Sequence, residues 1–243
     1  MHSSSLRNLE RFYKTYLQNF DNPNILDIGG TKLSDHMTGL DVIRKINGNF
    51  NYKTVDIKDD PSVDIVLKNP YSFDEIKENS IDIAVSISTF EHVEFFWLTY
   101  LQILRVLKPH GIFYMNAPSN GIFHRWDQDC WRFYPDSGIA LKNWGKHNNY
   151  NNSLLESFTT KKYLEGGWND YNVVFLKDKK YISKYPTRMI DKINDFYNGI
   201  KNDDFENLIN RQQKTEDHEN YGYKLWYKLN KKIQKYRLKF KLK

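Results

Sequence analysis

The sequence predicts a doubly wound α/β domain on a mostly parallel seven-stranded sheet, followed by a helical, basic C-terminal extension. Three observations carry that expectation. Short apolar runs alternate with stretches whose apolar residues recur every three or four positions, the pattern of strands joined by crossover helices. The first apolar run, Ile25-Leu26-Asp27-Ile28, breaks directly into Gly29-Gly30, a buried strand feeding a tight loop. The 243 residues are 40% apolar and 16% aromatic, with 36 basic against 30 acidic side chains. That is apolar enough for a buried core and too balanced in charge for a disordered polymer.

The elements follow in order. Leu6, Leu9, Phe12, Tyr13, Tyr16, Leu17 and Phe20 form one helical stripe, stopped by Asp21-Asn22-Pro23-Asn24. After the strand at 25–28, further strands are expected at 52–57, 63–67, 81–88 and 111–117, with a strong helix at 93–107 between the last two. A helix from Asp136 to Trp144 and two final strands at 153–160 and 171–176 complete the domain, which spans residues 1–185. From Pro186 to Lys243 the chain reads as all-helical. In an open sheet of this kind the ligand lies beyond the carboxyl ends of the strands, so the loops after each strand are where chemistry is sought.

Charge and cysteine content narrow the setting. Nine basic residues and no acid fall between Tyr221 and Lys243, leaving 27 basic against 30 acidic residues before them. The basicity belongs to the tail, and residues 1–220 show no basic groove of the kind expected of a nucleic-acid enzyme. Met1-His2-Ser3-Ser4-Ser5-Leu6-Arg7 lacks the apolar core of a signal peptide, and nothing approaches the roughly 18 apolar residues of a membrane span. A cytoplasmic protein is expected. Cys130 is the sole cysteine, so no intramolecular disulfide or cysteine-cluster zinc site is available, and it is read as packing.

The loop after the first strand, Asp27-Ile28-Gly29-Gly30-Thr31-Lys32, sets a carboxylate and two glycines where the backbone must turn and admit a ligand. Thr31 and Ser34 stand where a nicotinamide-dinucleotide fingerprint needs its second and third glycines, which disfavours NAD. Asp56 ends the second strand, where a carboxylate can accept both hydroxyls of a ribose; the alternative is a solvated loop acid.

Taken in order, Ile25-Leu26-Asp27-Ile28-Gly29-Gly30, Val55-Asp56, Ser80 to Ser86, Phe90-Glu91-His92-Val93 and Ile103 through Lys108-Pro109-His110-Gly111 resemble the class I S-adenosylmethionine-dependent methyltransferases. The resemblance implies a Rossmann-like methyltransferase fold with S-adenosyl-L-methionine as cofactor. It places Asp27, Gly29 and Gly30 at the methionine part of that cofactor, Asp56 at its ribose, and Ser88 with Thr89 beside the sulfonium. Two departures from the family pattern stand out: Thr31 and Leu33 replace small residues, and Lys68 stands where an acid often meets the adenine. Glu91 and His92 open the helix after the fourth strand, either facing the cleft or capping that helix.

The segment from Asn116 to Asp136 leaves the fifth strand at the ligand edge and is dense in His, Asp, Arg and aromatic residues. Its His-Arg-x-x-x-Asp-x-Trp-Arg-Phe-x-Pro run is similar to a feature of methyltransferases found among glycan-building enzymes, which implies methylation of a hydroxyl on a sugar or nucleotide-linked sugar. Transfer to a hydroxyl needs a base, and His124 is the candidate because an imidazole's ordinary pKa of about 6.5 suits it to accept a proton near neutrality. Asp127 or Asp129 would orient His124 or bind a sugar hydroxyl, and Trp126, Trp131 and Phe133 would stack on a sugar face. Against this, Trp131-Arg132-Phe133 can anchor the loop to the core, and His124 can be structural. A cation held by Asp127, Asp129 and His124 is a further alternative, and no metal is expected.

In the tail, Leu225, Trp226, Leu229, Ile233, Tyr236 and Phe240 share a helical face with lysines filling the other positions. Such a helix docks on the domain or across a homo-oligomer, lies on an anionic membrane, or meets nucleic acid, the least expected of these partners. The remaining rivals are an RNA or protein acceptor and a degenerate, non-catalytic fold.

Overall fold

A computed structural model describes residues 2–32, 37–46, 48–162 and 168–212, together with Leu229. The chain divides into a unit of residues 1–211 and a second of residues 212–243. The expected basic tail helix lies outside the described residues.

The first unit runs α1 (Ser3–Tyr16), β1 (Asn24–Ile28), α2 (Gly39–Arg44), β2 (Asn51–Asp56), β3 (Ile65–Val66), β4 (Ile81–Ile87), α3 (Phe96–Val106), β5 (Leu107–Pro118), α4 (Asp136–His147), β6 (Ser153–Thr160), β7 (Asp170–Leu176), β8 (Phe196–Lys201) and β9 (Asp204–Ile209). The strands form one sheet of nine, in the order β3-β2-β1-β4-β5-β7-β6-β8-β9. The ladders among β3, β2, β1, β4 and β5 are parallel. Those from β5 through β7, β6, β8 and β9 are antiparallel. The seven expected strands are all present, but the sheet is mixed rather than mostly parallel and has two more strands.

Those two strands correct the reading of residues from Pro186 as helical. Phe196–Lys201 and Asp204–Ile209 pair through a two-residue turn, and Asn202 and Asp203 both take positive φ, 54° and 64°. Asn and Asp are among the few residues that accept this conformation cheaply, and two in succession make the hairpin turn that matches strand twist. The Asp203 carboxylate then accepts from the Leu154 N–H and the Ser153 hydroxyl, both at 2.9 Å, which ties the hairpin to β6.

Alternation along the central strands sends side chains to two cores, as the pleat requires. Leu26, Ile28, Phe113 and Met115 join Tyr100, Leu104 and Leu141 of α3 and α4 on one face. Ile25, Ile83, Val85, Ile112 and Tyr114 join Leu9, Phe12 and Tyr16 of α1 and Val42 of α2 on the other. Phe12 stacks on Tyr114 with ring centroids 4.4 Å apart. Each such buried side chain contributes about 1.5–3 kcal/mol. A polar thread runs through the second core: Glu156 accepts from the Tyr16 hydroxyl at 2.6 Å and from the Met189 and Ile190 N–H groups at 2.9 and 3.0 Å.

At the amino ends of the parallel strands, Asp82 accepts from Lys108 Nζ at 2.7 Å, the Asn24 N–H at 3.0 Å and His110 Nε2 at 3.1 Å. Burial pushes its pKa up, but these donors outweigh it and hold the carboxyl below its ordinary value. A depressed folded-state pKa gives stability that is present above the ordinary carboxylate range and lost as pH falls through the folded value. Asp82→Asn is therefore expected to cost about 1–3 kcal/mol at pH 7. In urea denaturation the deficit against the unmodified chain should shrink below pH 4.

Candidate active site

At the carboxyl ends of β1, β2 and β4, where the strand order reverses, lies a cleft of about 340 Å³. Asp27, Gly29, Gly30, Asp56, Ser88, Thr89, His124 and Asp127 all line it. The sequence thus places its six cofactor candidates around one space, although they come from three separate loops.

The turn after β1 dictates that space. Gly29 has φ +74°, and a Cβ there would lie 2.3 Å from Thr89 Cγ2. A Cβ on Gly30 would lie 2.7 Å from Asp27 Oδ2. Only glycines let the β1 loop close on the β4 loop while its backbone faces the cleft. The Gly29 N–H donates to the Val55 carbonyl at 2.8 Å, which locks the turn to β2. Ser88 also takes positive φ, 51°, and its N–H donates to the Asn116 carbonyl at 2.9 Å. That strained link holds the ends of β4 and β5 together at the cleft wall.

Asp27 is buried and accepts from the Tyr52 hydroxyl at 2.5 Å. Burial raises its pKa to about 6, against the lowering effect of the Tyr52 hydrogen bond. Tyr52 was not among the sequence candidates, because nothing local distinguishes it from a packing tyrosine. Asp56 accepts from Thr31 Oγ1 at 2.5 Å and from the Lys58 N–H at 3.2 Å, and its half-exposed carboxylate retains lone pairs toward the cleft. Thr31, a departure from the family's glycine, therefore orients the ribose candidate. Lys68 does not line the cleft; Leu67, Pro70 and Phe73 give it an apolar wall on that side.

The opposite end is built from Glu91, His92 and the loop after β5. The short 3-10 turn Phe90–His92 has Thr89 at its N-cap and α3 has Phe95, and neither N-terminus carries a side-chain cap, so Glu91 and His92 do not cap α3. Glu91 is 1% exposed, and its Oε2 has no hydrogen-bond partner among the described residues. Burial raises its pKa to about 8. His92 Nδ1 faces the Gln128 carbonyl, which can only accept, so the proton sits on Nδ1 and Nε2 carries the lone pair. Burial lowers the His92 pKa, which keeps that ring neutral. His92 Nε2 lies 3.7 Å from Glu91 Oε1, and the His124 ring meets His92 edge-on with centroids 5.2 Å apart.

The two acids of the loop part company. Asp129 is gripped by Arg132 at 2.6 and 2.8 Å, and this fork with the His124 N–H at 2.8 Å lowers its pKa to about 2. His124 Nδ1 lies 3.4 Å from both Asp129 Oδ2 and Arg132 Nη2. Nη2 already spends its two hydrogens on Asp129 at 2.8 Å and the Ile122 carbonyl at 2.9 Å. His124 Nδ1 thus sits at equal distance from a donor, Arg132 Nη2, and an acceptor, Asp129 Oδ2. Asp127 takes φ +67°, and its side chain is 79% exposed 3.5 Å from Lys58. Of the two acids, Asp129 is the one beside His124.

The aromatics divide the same way. Trp131 Nε1 donates to the Val93 carbonyl at 3.0 Å, and Phe133 is buried edge-on against Phe96 at 5.0 Å, so both anchor the loop. Trp126 alone of the three lines the cleft, with 54% of its surface exposed. Cys130, expected to pack, is exposed.

Residues 30–115 match the methyltransferase domain family. No curated protein matches the chain significantly. Among solved structures, the 1,6-didemethyltoxoflavin N1-methyltransferase of Burkholderia thailandensis, with bound S-adenosylhomocysteine, aligns at TM-score 0.51 and 14% identity over 72% of this chain and 79% of its own. The methyltransferase domain of the citrinin polyketide synthase aligns at TM-score 0.50 and 14% identity over 72% and 53%. The [4+2]-cyclase SpnF aligns at TM-score 0.50 and 12% identity over 71% and 81%. These likenesses show the fold, and the match of residues 30–115 to the methyltransferase domain indicates S-adenosylmethionine as the cofactor. The cleft suits it: the glycine turn leaves room that a Cβ would fill, and Asp56 offers oxygens for a ribose. Asp56→Ala is expected to weaken S-adenosylhomocysteine binding about tenfold or more in calorimetry while far-UV circular dichroism stays unchanged.

Proposed function

We propose that this S-adenosylmethionine-dependent methyltransferase methylates a hydroxyl of a sugar or nucleotide-linked sugar. The observation that carries the reading is the pairing, in one cleft, of the exposed Trp126 ring with the polar groups of His124, Gln128 and Asp127. A flat apolar face beside convergent hydrogen-bonding groups suits a sugar ring, which is apolar on its faces and polar at its edge. Lys32 and Lys58 also line the cleft, where they would meet the phosphates of a nucleotide-linked acceptor.

The cofactor supplies an electrophilic methyl group on a sulfonium. The chain's own part is to seat the acceptor, align its oxygen and take its proton. His124 is the residue assigned to that proton. Asp129, 3.4 Å from His124 Nδ1, is assigned to hold a proton on that nitrogen and so free the Nε2 lone pair, and the Arg132 fork keeps Asp129 ionised for this role. Asp127 is assigned to the acceptor's outer hydroxyls at the rim rather than to orienting the base.

A panel of nucleotide sugars incubated with labelled S-adenosylmethionine should yield an O-methylated product for at least one member. His124→Ala should lower kcat about 10²-fold or more with S-adenosylhomocysteine affinity unchanged. Turnover confined to RNA or protein acceptors would contradict the reading.

A further inference from the structure

We propose that Glu91, His92 and His124 form a binding site for one divalent transition-metal ion. A carboxylate oxygen of Glu91 and one ring nitrogen from each histidine lie within 4.8 Å of one another, on two segments far apart in sequence. Both histidines set Nδ1 toward an oxygen outside the cluster, the Gln128 carbonyl for His92 and, at 3.4 Å, the Asp129 carboxylate for His124. Such outer support, which fixes the tautomer and aims Nε2, is what metal-ligating histidines generally have. The third donor is buried, and its Oε2 is without a hydrogen-bond partner among the described residues. Two imidazoles and a carboxyl group thus converge on one space, and a cation bound there displaces the carboxyl proton and is held by all three.

The donor chemistry selects the ion. Two imidazoles and one carboxylate suit Zn2+, Co2+, Mn2+ or Fe2+, whereas Mg2+ and Ca2+ prefer oxygen ligands. Metal–donor bonds near 2.1 Å set tetrahedral donors about 3.4 Å apart, so the cluster closes by a small side-chain movement. The loop acids do not compete for the ion. Asp129 is spent on Arg132, and Asp127 stands exposed beside Lys58.

The consequence for turnover rests on the role assigned to His124 above. Ligation uses the same Nε2 lone pair that takes the acceptor proton, so a bound ion and proton acceptance exclude each other. Metal binding itself does not depend on that role.

The test uses tag-free full-length protein, titrated with Zn2+ by calorimetry and with Co2+ by visible absorption. One ion per chain is expected. Glu91→Gln, His92→Gln and His124→Gln should each weaken it at least about tenfold. His147→Gln, at the end of α4 where the ring stacks on Trp144, should not change it. Thermal unfolding without metal checks that each variant folds, and the two histidine variants carry the test if Glu91→Gln does not. Absence of saturable binding at millimolar ion, or binding that the folded variants retain, overturns the site. In the methyl-transfer assay, inhibition by Zn2+ supports mutual exclusion. Acceleration keeps the site and overturns the base role of His124, and turnover by an unmodified chain that shows no saturable ion binding overturns the site while leaving that role intact.

Discussion

The close approach of Gly29 to Thr89 is the constraint on which the functional end of the molecule depends. A Cβ on Gly29 would fall 2.3 Å from the Thr89 methyl, so the β1 turn and the β4 loop meet only because that side chain is missing. The contact sits where the strand order reverses, the place at which loops diverge to opposite faces and leave a crevice. Asp27 lies two residues before the turn and Asp56 one strand away, both fixed by donors from the chain itself, Tyr52 and Thr31. The cleft is therefore preorganised by backbone geometry, which spares a ligand the cost of ordering it.

The second end of the cleft is preorganised differently, by charge. Arg132 fixes Asp129, the two together flank His124 Nδ1, and the Gln128 carbonyl fixes the His92 tautomer. Glu91 is left in the middle, buried and incompletely satisfied. A protein interior rarely tolerates such a group without a use for it. Proton transfer and cation capture are the two uses this chemistry allows, and they draw on the same lone pairs.

Much of this was legible in the sequence because it depends on local patterns. Strand ends, the Gly29-Gly30 turn and Asp56 are short-range signals, and the alternation of apolar runs with helical stripes located every strand of the parallel half. What escaped depends on contacts between distant residues. Two acids one residue apart, Asp127 and Asp129, look equivalent until the positive φ at Asp127 turns one to solvent and leaves the other on Arg132. Glu91 read equally well as a helix cap, because its burial is imposed by the loop after β5, whose Cys130 and Trp131 N–H groups donate to its carbonyl at 2.8 and 3.2 Å. The hairpin of β8 and β9 was hidden for another reason. Its only local signal is the Asn202-Asp203 pair, and it lies in a polar stretch that composition alone assigns to helix.

The most direct test of the central claim is a crystal structure with S-adenosylhomocysteine bound. The account predicts the ribose hydroxyls on Asp56, the ligand backbone against Gly29 and Gly30, and the thioether sulfur between Thr89 and the Glu91–His92–His124 cluster. A ligand seated elsewhere, or a ribose held by a different carboxylate, would contradict it.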